Sequence, residues 1–166
     1  VRVAHALDAL GIDLIEAGAA GACVNLGGDV RVRGTGPGGG PWTVAVEHPH
    51  CAEPIALVGL EDGAIATSTT LKRRWTVAGA LRHHVIDPAT GVPSTTDLEL
   101  ATAIAAQGWQ AEVMAKSVLL RGREHPFDVV DGGGAEALAV THDGRVLTSQ
   151  GFRAFTGARP IPAHLH

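Results

Sequence analysis

Residues His83–Pro93, HHVIDPATGVP, gather groups that suit contact with a ligand or the transfer of a proton. Two adjacent histidines stand just ahead of a carboxylate, Asp87, and imidazole is the side chain whose charge changes nearest neutral pH. Pro88 biases Asp87 away from helix, and Thr90-Gly91 supplies turn chemistry. In an extended segment His83 and His84 point to opposite faces, so one of the two addresses any given site. The same residues would also serve a plain hairpin end, in which Asp87 and Thr90 bond their own backbone.

Three further groups have chemical content. Gly27-Gly28-Asp29 interrupts two apolar runs, and paired glycines let backbone N–H groups approach a planar or anionic ligand; a β-bulge is the plainer reading. Thr67 and Ser68 precede Arg73 and Arg74, offering hydroxyls and guanidinium groups suited to phosphate or ribose oxygens. A strand end capped by its own hydroxyls fits them as well. Glu112 and Lys116 are four apart on a helical stretch, which makes an ion pair in the favourable Glu-before-Lys order. His48, His50 and Cys51 are too loosely spaced to define a metal site. No G-x-S-x-G, G-x-G-x-x-G or P-loop pattern is present.

These residues need elements to position them. Leu7, Leu10, Leu14 and Ile15 recur at helical spacing within Val3–Ala17, and Gly18 and Gly21 follow as stops. Ala22–Leu26 and Val30–Arg33 read as strands on either side of the glycines. Trp42–Glu47 alternates, with Trp42, Val44 and Val46 on one side. Ile55–Leu60, Ala64–Thr67 and Leu98–Ala106 also read as strands. Arg74–Val77 and Leu81–Ile86 flank an Ala78-Gly79 turn. Trp109–Arg121 is the clearest helix, stopped by Gly122, and a short helix is expected around Pro126–Val130. Ala137–Thr141 and Val146–Thr148 bracket the hairpin signal His142-Asp143-Gly144. The class is α+β, a mixed but mostly antiparallel sheet with packed helices. Residues 1–157 form the domain portion and 158–166 a loosely held tail.

At 166 residues the chain has one domain's worth of length. With 45% hydrophobic residues and a net charge of −4, neither disorder nor a nucleic-acid-binding surface is indicated, so no DNA or RNA partner is expected. Its longest apolar runs fall far short of a membrane span. Its 2 cysteines form no CxxC pair. The abundance of Ala, Gly and Arg fits a high-GC bacterial gene.

HHVIDPATGVP closely resembles the His-His-hydrophobic-hydrophobic-Asp-Pro-x-Thr-Gly-x-Pro signature of the ApbE family, the FAD:protein FMN transferases. VNLGGDVRVRG at Val24–Gly34 and GAIATSTTLKRRW at Gly63–Trp75 resemble further family segments in the same order, so the likeness runs from Val3 to Phe152. It implies an ApbE-like, T-fold-like architecture and transfer of FMN from FAD to a threonine hydroxyl of a bacterial redox protein, with AMP leaving. FAD would be the substrate flavin nucleotide. Asn25, Gly27, Gly28, Thr67, Ser68 and Thr90 fall at positions expected to hold it, and His83, His84 and Asp87 at those expected to act in transfer.

Ala111–Gly122 resembles the family segment Ala-Asp-Ala-Leu-Ser-Thr-Ala-x-x-x-x-Gly, whose Asp and Thr are magnesium ligands. Glu112 stands in the Asp position and Lys116 in the Thr position. Glutamate can bind magnesium; a protonated lysine cannot, though its ammonium could occupy the space of the cation and contact the same phosphates. The resemblance also places the start of this chain after a Gly-Gly-x-x-Lys-Gly segment, so it corresponds to the C-terminal portion of the family domain. Apolar surface left by that truncation would favour self-association. Two other readings stay open: hydrolysis of FAD to FMN and AMP, and a flavin-binding or structural module without turnover. Family members usually act at the outer face of the bacterial inner membrane, with a cytoplasmic location the alternative where no anchor exists.

Overall fold

The computed structural model describes residues 2–50, 52–157 and 161–163; within the first helix the side chains of residues 2–5, 7, 11 and 12 are not described. The order of elements is α1 (Arg2–Glu16), β1 (Gly21–Leu26), β2 (Asp29–Gly34), β3 (Trp42–Val46), β4 (Ala56–Leu60), β5 (Asp62–Thr69), β6 (Arg74–Val77), β7 (Ala80–His83), β8 (Leu98–Ala105), α2 (Gly108–Arg121), β9 (Glu136–Thr141) and β10 (Val146–Thr148), followed by a 3-10 turn at Phe152–Phe155. Six strands form one sheet in the order β1-β2-β5-β8-β9-β10; β3-β4 and β6-β7 are separate two-stranded sheets. Every pairing among these strands is antiparallel.

The sheet separates two apolar layers of different character. On one face Val30, Val32, Ile65, Leu100, Ile104, Leu138 and Val140 pack against Val46, Val58 and Leu60 of β3–β4, with Phe152 and Ile161 closing the cluster. On the other face the strands present Ala64, Ala66, Ala101, Ala103, Ala105, Ala137 and Ala139 to Ala111, Ala115, Val118 and Leu119 of α2. Alanine on both sides lets the helix lie close to the sheet.

Several expectations meet corrections. Gly27-Gly28 is the two-residue loop of a β1–β2 hairpin, with Leu26 opposite Asp29, and not a bulge. Both glycines have positive φ, +71° and +108°, as a primed hairpin turn requires. Gly21 begins β1 rather than ending the helix. The helix expected over Val3–Ala17 is present as α1, with Leu10 and Leu14 on an exposed side, each 44% accessible. The second strand of the β6–β7 hairpin ends at His83, and Ile86 joins only an isolated bridge to Pro93. Around Pro126–Val130 there is a run of turns instead of a helix, with Val130 and Asp131 both donating to the Phe127 carbonyl. Of residues 158–166, Ile161 packs into the apolar cluster and the Ala163 carbonyl accepts from Val146; residues 158–160 and 164–166 lie outside the described residues.

Arg31 is the least expected core residue. Alternation in β2 would turn it to solvent, yet it is 7% exposed because the Arg31 face of β2 carries ion-pair partners from α1 and β5. Its Nη2 lies 2.6 Å from Asp62 Oδ1 and its Nη1 donates to the Gly63 carbonyl at 2.8 Å. Its Nε is 3.2 Å from Asp8 Oδ1, an ion pair whose geometry falls short of a hydrogen bond. The same Asp8 oxygen accepts the backbone N–H of Gly108 at 2.8 Å. A carboxylate at the first residue of α2 satisfies an otherwise orphaned donor and complements the helix dipole.

Candidate active site

The two histidines differ in every ring contact. His83 Nε2 lies 3.0 Å from the Ser94 carbonyl, and its Nδ1 accepts the Val85 N–H at 3.3 Å, so both nitrogens are engaged within the loop. His84 bonds the backbone of Lys72. Its Nδ1 is buried and has no hydrogen-bond partner. Burial first, and then the positive charges of Arg73, His83 and Lys116, hold the His84 imidazole below the usual histidine range; the bond to Lys72 acts the other way. A neutral imidazole whose one nitrogen donates to a carbonyl keeps a lone pair on the other.

Lys116 carries that electrostatic neighbourhood across to α2. Its Nζ is 2.7 Å from Glu112 Oε1, one helical turn earlier. The hydrogen bond from Lys116 holds the Glu112 carboxyl below the ordinary range, against the effect of burial. Asp29, at the end of the glycine hairpin, is pushed up by burial and then by Glu112, with Lys116 acting against both. The β1–β2 hairpin, the polar flank of α2 and His84 therefore share one field. The resemblance implies Glu112, Lys116 and the glycines as site residues; Asp29 stands beside the glycines in that motif with no role assigned to it from sequence.

Asn25 closes the hairpin: its Oδ1 accepts the Gly28 N–H at 3.0 Å. A Cβ on Gly27 or Gly28 would meet nothing within 4 Å, so within this chain the glycines serve backbone conformation rather than close packing. Thr67 and Ser68 point to opposite faces of the sheet. Thr67 Oγ1 lies 2.8 Å from Thr102 Oγ1 across the β5–β8 pair, on the Ile65 side. Ser68 is 9% exposed and shares the parity of Ala64 and Ala66, which face α2. The two hydroxyls expected in one neighbourhood are thus divided, because successive strand side chains alternate.

Asp87 organises its own loop. Its Oδ1 accepts the Ala89 N–H at 2.8 Å, its carbonyl accepts from Thr90 and Gly91, and its N–H donates to the Val92 carbonyl. Thr90 is exposed on that turn. The Asp87 half of the self-capped hairpin end weighed from the sequence is present; Thr90 joins the turn through its backbone N–H. Elsewhere, His50 Nε2 is 2.9 Å from Glu99 Oε2 and the His50 N–H bonds His48 Nδ1, while Cys51 lies outside the described residues. Among the described residues no group of three or more His, Cys, Asp or Glu side chains is placed to hold a metal ion. At the positions where the resemblance implies magnesium, the ammonium of Lys116 hydrogen-bonds the carboxylate of Glu112, a donor set that does not fit the ion.

The model of the ApbE family matches residues 4–139. A FAD:protein FMN transferase of Treponema pallidum (strain Nichols) is 31% identical over 154 residues, covering 89% of this chain and 41% of its own length. That of Escherichia coli (strain K12) is 29% identical over 156 residues, covering 91% and 44%. Among solved structures, the ApbE protein of Thermotoga maritima superposes with a TM-score of 0.83 at 29% identity, over 92% of this chain and 50% of that one. The apo flavinyl transferase ApbE of Pseudomonas stutzeri gives 0.76 at 25%, over 95% and 50%. The chain spans half the length, or less, of these relatives.

Proposed function

Because the chain belongs to the ApbE family, we propose that it forms part of a transferase that moves FMN from FAD to a threonine hydroxyl of a target protein. The observation that carries the chemistry is the unpartnered Nδ1 of His84, on an imidazole within the electrostatic reach of Arg73 and Lys116. In this reading the threonine oxygen attacks the phosphorus of the FMN half. A new P–O bond forms, the anhydride P–O bond breaks, and AMP leaves with the electron pair. His84 Nδ1, buried in the free chain, accepts the hydroxyl proton once docking of the acceptor segment uncovers it, and nearby positive charge stabilises the oxygens of the transferring group. Asn25, Gly27, Gly28, Ser68 and Thr90 are proposed to border the nucleotide. Thr67 acts through Thr102 on the opposite face, and His83 and Asp87 position the loop that carries His84.

Magnesium has no step in this proposal, because Lys116 and Glu112 satisfy each other. Self-association rests on the exposure of Leu10 and Leu14 on α1 and of Trp109 and Val113 on α2. Sedimentation velocity across rising concentrations tests it, and a monomer throughout removes it.

The test of function is AMP release from FAD by the intact gene product, with and without an acceptor protein, alongside detection of covalent flavin. His84→Gln should lower transfer by on the order of 100-fold while FAD binding persists. Equal transfer by His84→Gln and wild type would sink the assignment. AMP release that ignores the acceptor would favour hydrolysis, and FAD binding without AMP a binding module.

A further inference from the structure

Lys116 has the means to replace a metal ion rather than to hold one. Its ammonium has three N–H donors and no acceptor, so it cannot ligate a cation. It is also a compact point charge on a flexible stem, a form that suits phosphate oxygens. The Lys116 side chain is 49% exposed while that of Glu112 is 23% exposed, so the carboxylate is the more enclosed anchor and the ammonium the outward end. One donor engages Glu112 at 2.7 Å; the ammonium has two more to offer an arriving anion.

The surroundings argue the same way. A divalent cation approaching Glu112 would meet a like charge already hydrogen-bonded to it. Arg73, whose charge also acts on His84, adds a second cation to the same field. Asp29, at the end of the glycine hairpin, shares that field with Glu112 and Lys116.

We infer that Lys116, positioned by Glu112, is a built-in counter-ion for the diphosphate of the bound nucleotide, so that binding needs no divalent cation. The inference rests on the reading that the ligand is FAD. Lys116 touches the ligand; Glu112 is a positioning residue that acts through it.

The experiment is calorimetric titration of FAD into the intact gene product, in EDTA and in magnesium chloride. The expected result is a dissociation constant that agrees within about twofold between the two media. Lys116→Met should weaken binding at least about tenfold in both. Lys116→Thr should weaken it in EDTA and recover on adding magnesium. Circular dichroism would verify that these half-exposed substitutions leave the fold intact. Wild-type binding that tightens about tenfold or more with magnesium overturns the inference. So does Lys116→Met binding as tightly as wild type, or an absence of FAD binding in both media. Metal-indifferent binding without FMN transfer would sink the transferase reading and leave the lysine; metal-dependent binding with transfer intact would do the reverse.

Discussion

His83 and His84 are neighbours in sequence with opposite assignments in space. The signature announced the pair, and period-two alternation required that they diverge, but which one faces the shared charge field depends on the Ser94 carbonyl and the Lys72 backbone. Those partners lie outside the dipeptide and cannot be read from it. The depressed His84 pKa has a direct kinetic consequence. In the proposed reaction the neutral ring takes the proton, so the transfer rate should rise with pH and level off below about 6.5, the ordinary histidine value. A pH–rate profile of the chemical step checks this; an inflection above the ordinary value would contradict it. Stability carries the same sign. Between the lowered folded value and the ordinary one the unfolded chain binds more protons, so this group's contribution to stability grows as pH rises through that window. Asp87 is the converse case: its carboxylate serves the turn, so Asp87→Ala should loosen the loop, lowering transfer through misplacement of His84 with little loss of global stability in urea.

At the scale of elements, α2 decides where Glu112 and Lys116 stand. Its extent was legible to within a residue, Trp109–Arg121 against Gly108–Arg121, because alanine, leucine and methionine favour helix and Gly122 ends it. Its anchoring was not. Asp8, 100 residues away, takes the first N–H, and Asp97 accepts the Arg123 N–H at 2.9 Å beyond the last turn. Asp8→Ala removes that acceptor and one of the ion-pair partners of Arg31, and should cost about 2 kcal/mol in urea denaturation. Ala115 is fully buried against an alanine face. Ala115→Leu should cost about 2 kcal/mol by overpacking and also weaken FAD binding, since the helix must move to admit the larger side chain. The apolar residues of Pro126–Val130 suggest a helix but carry no signal of which bonds close, and only isolated turn bonds form there.

Over the whole molecule, strand existence was legible and strand order was not, because each hairpin and helix between sheet strands sends the chain away before it returns. The sheet centre should be the most protected region in hydrogen exchange: β5 and β8 have partners on both sides, whereas β6–β7 is bonded only to itself and should exchange early. Protection of β6–β7 equal to that of β5 would mean that another surface covers it. The interrupted order has a further consequence, in the tolerance of the chain to length changes. β2 reaches β5 by way of β3–β4, β5 reaches β8 by way of β6–β7, and β8 reaches β9 by way of α2. Doubling a flexible loop costs only about 0.6 kcal/mol in closure entropy. An insertion at the Ala78-Gly79 tip would therefore leave every rung of the six-stranded sheet in register, and the periphery could be lengthened or trimmed by descent or by design while the centre keeps its count.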